Sequence, residues 1–209
     1  MALTSPQIYN GNLWSNRTVG LLGGSFNPAH EGHRYISLTE MKALGLDAVW
    51  WLVSPQNPLK PAKGMAPQAE RLAFAQEVAE HPKIFVTDIE KDLRTQYSLD
   101  TIHALQTHFP RTRFVWLMGA DNLLSFHKWH KWQEIFKALP VCVLDRPPRH
   151  SSVRACPAFE RFRPYLVPQQ DAARVLEKSL PAWTIIRMPL NEMSATAIRA
   201  GRRSKQSNS

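Results

Sequence analysis

Short apolar runs of strand length recur along this chain, and segments with helical spacing separate them. That alternation constrains the fold more than any other feature. Residues 18–22 are the first such run, and Gly23-Gly24 closes it as a buried strand entering a tight turn would be. Residues 31–44 then carry Tyr35, Ile36, Leu38, Met41 and Leu44 at helix-face spacing, with Gly45 placed as the stop. The pattern continues with strands at 48–53, 84–87, 114–118, 141–144 and 183–188. Helices are expected from Pro67 or Gln68 to about Glu80, and at 98–109, 132–139 and 194–200. Such alternation predicts an α/β fold, a Rossmann-like doubly wound parallel sheet with helices on both faces. Ligands of such sheets bind at the carboxyl ends of the strands. The segments to inspect are therefore 23–33, 54–63, 88–98, 119–132 and 191–199.

A chain of 209 residues suits one domain with a core that needs no metal or disulfide staple. The reading places that domain at 18–200. Residues 1–17 and 201–209 are expected to be flexible, and 146–181, rich in proline and arginine, to form an irregular excursion or small subdomain. No apolar run approaches the roughly 18 residues of a membrane span, and no secretory signal is evident. Two cysteines without a CxxC pattern speak for a reducing cytoplasm and against a zinc site; Cys142, in the apolar run 141–144, reads as a buried small hydrophobe. Lysine and arginine number 26 against 17 acids, a net charge of +9, which suits an anionic partner: nucleic acid, a membrane surface or phosphorylated small molecules. Charge alone does not choose among them, although no nucleic-acid-binding module is visible.

Gly23-Gly24-Ser25-Phe26-Asn27-Pro28-Ala29-His30-Glu31-Gly32-His33 follows the first strand. Two glycines permit a sharp turn and close approach to a ligand. The next helix opens with unpaired N–H groups and a positive dipole end, a ready phosphate site. His30 and His33, three apart, share a face of its first turn and can donate to phosphate oxygens. The segment is neither GxxxxGK[ST] nor GxGxxG, and two histidines without further ligands make a poor metal site. Near the other end, Met193-Ser194-Ala195-Thr196-Ala197-Ile198-Arg199 follows the last strand. Ser194 is a natural N-cap, Thr196 adds a hydroxyl in the first turn, and Arg199 a fork-shaped charge, a set that can hold a polyphosphate.

Residues 23–33 resemble the GGxFxPxHxGH signature of the HxGH nucleotidyltransferase superfamily at every fixed position, and 193–199 resemble its (I/V)SxTxIR motif except for Met193. The chain is too short for a synthetase of that superfamily and lacks a KMSKS-like segment. Three further segments are similar to those of the bacterial nicotinate mononucleotide adenylyltransferases. They are the proline-rich 54–60, with Leu59 where histidine often precedes Lys60; Tyr97-Ser98-Leu99-Asp100-Thr101, with Ser98 for threonine; and Gly119-Ala120-Asp121 followed by Trp129. Other departures are Asn27, where aspartate is common, and a short C-terminus. The resemblance runs from Thr18 to Arg199.

It implies transfer of the adenylyl group of ATP to nicotinate mononucleotide, with Mg²⁺ carried mainly by the phosphates. ATP would meet Gly23, Gly24, Ser25, Phe26, His30, His33, Ser194, Thr196 and Arg199, with His30 and His33 as the catalytic pair. The acceptor would meet Asn57, Lys60, Tyr97, Ser98, Asp121, Trp129 and His130. Trp129 is expected to stack on the pyridine ring and Trp132 to join the core, while backbone N–H groups near Tyr97-Ser98 and Trp129-His130 take the nicotinate carboxylate. Phosphopantetheine and nicotinamide mononucleotide are the rival acceptors, and a basic nucleotide- or nucleic-acid-binding protein without turnover is the rival class. A cytoplasmic monomer or homodimer that needs no nucleic acid and no membrane completes the expectation.

Overall fold

The computed structural model describes residues 4–55, 64–145 and 151–187. Asn57, Lys60, Ser194, Thr196 and Arg199, with the expected last helix, lie outside them.

β1 (Thr18–Gly24) leads through a loop to α1 (Glu31–Leu44), and β2 (Ala48–Val53) lies beside β1. Then come α2 (Gln68–Ala79), β3 (Ile84–Thr87), α3 (Glu90–Leu93), α4 (Ser98–His108), β4 (Arg113–Gly119), α5 (Ala120–Ser125), α6 (Trp132–Ala138) and β5 (Val141–Asp145). The chain ends its described course with α7 (Pro157–Phe162), β6 (Leu166–Val167) and β7 (Trp183–Arg187). The seven strands form one sheet in the order β3-β2-β1-β4-β5-β7-β6, and every pair is parallel. The chain builds outward from β1 through β2 to β3, then returns to place β4 on the other side of β1. The carboxyl ends of β1 and β4 therefore part at a topological switch point, where a crevice opens.

Both faces of the sheet are covered, so its central strands are continuous apolar runs rather than alternating ones. β2 shows the consequence. Trp50 and Trp51 are adjacent and fully buried, yet point to opposite faces. Trp50 packs among Trp14, Phe109 and Phe114. Trp51 lies in the second core with Phe26 and the buried face of α1.

The structure corrects one expectation about order and gives another its detail. The lead-in is not loose throughout: Gly11–Trp14 is a 3-10 turn, and Trp14 is completely buried, its ring edge-on to Trp50 at 4.7 Å and to Phe85 at 5.1 Å. Thr112 Oγ1 donates to the Trp14 carbonyl at 2.9 Å. A four-residue turn carries no periodicity, so its one anchoring indole went unread. Residues 146–181 were expected as an irregular excursion or small subdomain; the described part, 151–181, is largely irregular with 3-10 turns and packs onto the sheet and α6. Phe162 stacks on Phe136 at 4.1 Å, Phe159 meets Trp183, and Leu166–Val167 adds an edge strand to the sheet. Proline and arginine mask these contacts, because one or two aromatics per turn do the packing.

Candidate active site

A cleft of about 610 Å³ lies over the switch point, within the range of small-molecule sites. Its walls come from the carboxyl ends of β1, β2, β3 and β4 and the loops after them.

The first wall is the β1–α1 loop. Gly23 and Gly24 end the strand rather than turn, and the left-handed backbone falls instead on Phe26, at φ 45°. That strained conformation is held by packing: the Phe26 ring is 2% exposed, stacks on Trp51 at 5.2 Å and supports His33 at 4.8 Å. Gly23 is glycine for a different reason. A Cβ there would lie 2.8 Å from the Trp116 indole, which crosses from β4 to line the same cleft.

His30 is the N-cap of α1, in extended backbone. Its Nδ1 accepts from the Gly32 N–H at 3.1 Å, and His33 Nδ1 accepts from the His30 N–H at 3.2 Å. The two rings thus form a reciprocal capping box, a task usually given to hydroxyls and carboxamides, with centroids 3.9 Å apart. Because both Nδ1 atoms accept, each neutral ring carries its proton on Nε2. Two Nε2–H donors beside the positive end of α1 suit a phosphate. Ser37 steadies this turn from below: its hydroxyl donates to the His33 carbonyl at 2.9 Å and accepts from Trp51 Nε1 at 2.7 Å.

Asn27 also lines the cleft. Its Nδ2 donates to the Gly64 carbonyl at 3.0 Å and its Oδ1 accepts from the Ala66 N–H at 3.2 Å. Only an amide does both; an aspartate here would set a carboxylate against a carbonyl oxygen. The departure from the resemblance at this position therefore has a local partner.

The opposite wall comes from two distant segments. Tyr97, the N-cap of α4, has extended backbone and its side chain makes no capping bond, so the dipole end of the helix opens on the cleft at Tyr97 and Ser98. His130 lies against Tyr97, with ring centroids 4.4 Å apart. Trp129 packs on Phe126 at 4.8 Å and edge-on to Trp116 at 6.1 Å, and it too lines the cleft. Trp129 and Trp132 do not share a helix: Trp129 ends a 3-10 turn, Lys131 is left-handed, and Trp132 begins α6 against Phe162. One expected donor is already used, since the Trp129 N–H is bonded to the Phe126 carbonyl at 2.9 Å. Asp121 is exposed at the mouth, its carboxylate folded over Gly119 where a Cβ would collide with it.

Sequence reasoning passed over Trp116, Gln96, Asn122, Lys128 and Glu90, all of which line the cleft. Glu90 is buried and accepts from Thr101 Oγ1 at 2.9 Å through Oε1, while its Oε2 has no hydrogen-bond partner among the described residues; burial raises its pKa above the ordinary carboxylate value, offset in part by the Thr101 and Ser54 hydroxyls. In sequence it sits in Asp88-Ile89-Glu90-Lys91-Asp92, which reads as solvated charge. Among the described residues no group of three or more histidines, cysteines, aspartates or glutamates is arranged to hold a metal.

With this geometry in view, the family is decided by comparison. Residues 21–201 match the model of the cytidylyltransferase-like family. The chain belongs to that family. Among curated relatives, a probable nicotinate-nucleotide adenylyltransferase of Cereibacter sphaeroides is 47% identical over 182 residues, covering 87% of this chain and 96% of the relative. One of Parvibaculum lavamentivorans is 49% identical over 181 residues, covering 87% and 90%. Among solved structures, the Plasmodium falciparum nicotinic acid mononucleotide adenylyltransferase complexed with NaAD superposes with a TM-score of 0.60 at 14% identity, over 83% of this chain and 76% of that one; the likeness is one of fold.

Proposed function

We infer that this protein joins ATP and nicotinate mononucleotide to give nicotinate adenine dinucleotide and pyrophosphate. The observation that carries this reading is the identity of 47–49% to nicotinate-nucleotide adenylyltransferases over nearly the full length of those relatives. The cleft suits the reaction, with a helix N-terminus and two histidines at one end and three aromatic rings at the other.

The phosphate of the acceptor attacks the α-phosphorus of ATP in line, the new P–O bond forming as the bond to pyrophosphate breaks. No side chain is needed as nucleophile; the protein supplies position and neutralises charge. Nε2–H of His30 and of His33 steadies the α- and β-phosphates, with Gly23, Gly24, Ser25 and the Phe26 backbone as the wall behind them. Ser194, Thr196 and Arg199 complete the triphosphate grip in this reading. Trp129 faces the pyridine ring and the open end of α4 takes the nicotinate carboxylate, while Asn57, Lys60, Asp121 and His130 complete the acceptor side. Magnesium, if bound, would be held mainly by the ATP phosphates and water, as its coordination habit favours, and would offset phosphate charge; the exposed Asp121 carboxylate would be the side chain suited to meet its waters. The domain is read as 18–200, working in the cytoplasm as a monomer or homodimer. Among the described residues no helix is long and apolar enough to cross a membrane.

The test is pyrophosphate release from ATP and Mg²⁺ with nicotinate mononucleotide, nicotinamide mononucleotide and phosphopantetheine in parallel. Strong turnover with the first is expected. Turnover with phosphopantetheine alone would overturn the assignment of the aromatic wall.

A further inference from the structure

Arg71 lies on the first turns of α2, where a sequence reading sees one more solvated charge, yet it is 3% exposed. Burying a cation is costly unless it is paired, and none of the four ion pairs among the described residues includes it. It bonds backbone carbonyls instead. Nε donates to the Ala66 carbonyl at 2.9 Å, Nη1 to that of Ser25 at 2.5 Å and to that of Ser54 at 3.0 Å, and Nη2 to that of Pro55 at 2.9 Å. Burial lowers its pKa, but a guanidinium starts so high that it keeps its charge.

Two of these carbonyls belong to the cleft: Ser25 lines it after β1 and Ser54 lines it after β2. The same Ser54 donates its N–H to the Gly24 carbonyl at 3.0 Å, which ties the loop after β2 to the end of β1. In a trans peptide the C=O and the following N–H point in opposite directions. With the Ser25 carbonyl drawn down to Arg71, the Phe26 N–H is sent the other way, off the buried side of the loop. A lysine ammonium, with three donors on a point charge, cannot reproduce a planar fork spread over four carbonyls.

We propose that Arg71 is a positioning residue for adenylyl transfer, holding the Ser25 and Ser54 carbonyls so that the Phe26 N–H faces a phosphate and both walls of the cleft keep one spacing. This rests on the adenylyltransferase reading above. The guanidinium also sets a buried positive charge behind the phosphate wall.

The test compares wild type, Arg71→Lys and Arg71→Ala by circular dichroism and thermal melting, by calorimetric ATP affinity, and by steady-state kinetics well below the melting point. Arg71→Lys is expected to remain folded with a lowered Tm, to bind ATP about tenfold more weakly, and to lose about tenfold in kcat/KM for both substrates, as misplaced binding walls do. Millimolar guanidinium should restore part of the lost turnover of Arg71→Ala, whereas methylammonium should not. A merely structural arginine would lower Tm and leave ATP affinity and turnover per folded molecule unchanged. That result in Arg71→Lys overturns the proposal even if Arg71→Ala does not fold. If wild type turns over no acceptor, the functional reading fails by itself, and Arg71 is then judged on ATP affinity: equal affinities in wild type and Arg71→Lys sink it.

Discussion

The two walls of the cleft are built in opposite ways. The wall proposed to bind phosphate is one contiguous stretch, from Gly23 to His33, whose key hydrogen bonds span two or three residues: His30 to Gly32, and His33 to His30. The wall proposed to bind the acceptor joins Tyr97 and Ser98 at the start of α4 to Trp129 and His130 before α6, segments about thirty residues apart that meet across space. Local hydrogen bonding makes the first wall a rigid unit that is specified residue by residue. The second is only as well placed as the helices that carry it. Damage to the first should therefore appear in the chemical step, and damage to the second in acceptor binding.

The strongest way to break this contrast is His33→Ala, which removes a phosphate donor and half of the capping box. kcat is expected to fall by about 10² or more with little change in the KM for ATP. A near-normal kcat would mean that the histidine serves only the helix. Next comes Trp129→Ala, where the loss should fall on the other wall. The KM for nicotinate mononucleotide is expected to rise about tenfold, at the upper end of what ring stacking supplies, with ATP kinetics unchanged. An equal rise in both KM values would show that Trp129 supports the whole cleft through Trp116 rather than the acceptor.

Gly23→Ala tests the seam between the walls, since the new methyl meets the Trp116 indole. Overpacking of this kind costs about 1–3 kcal/mol, and a lower urea midpoint with turnover reduced only a few-fold is expected. Unchanged stability would show that Trp116 moves aside freely. The smallest effect on turnover belongs to Glu40, fully buried in α1 with no nitrogen or oxygen partner for its carboxyl and with the Cys142 thiol beside it. Burial raises its pKa well above the usual carboxylate range, so in the folded protein it keeps its proton while the unfolded chain ionises. The stability it permits is full at low pH and declines as pH rises through the unfolded pKa, about 4.3. Glu40→Gln should therefore leave turnover alone and raise Tm by an amount that grows with pH above that point. A Tm difference independent of pH would show that Glu40 is ionised in its site.

Regular elements were legible wherever burial followed a period. α1 and β2 have the boundaries that their apolar spacing and Gly45 predict. Legibility stopped where polar residues were buried for a structural purpose. Ser37, Glu40, Arg71 and Glu90 are polar or charged, so apolar spacing is silent about them, and all are buried. It also stopped where a single aromatic did the packing, as Trp14 does. In the β1–α1 loop the glycines were taken for the turn, whereas the left-handed backbone is at Phe26 and Gly23 makes room for Trp116.

By itself, the sequence determined the parallel α/β architecture and the pairing of His30 with His33 at the start of α1, because strand and helix periods and a contiguous capping motif are properties of neighbours along the chain. Only the tertiary structure decided which nitrogen each histidine presents, which aromatic rings share a wall, and that Arg71 lies beneath both walls. Those depend on atoms that come within hydrogen-bond or ring-contact distance only once β1, β2 and β4 lie side by side.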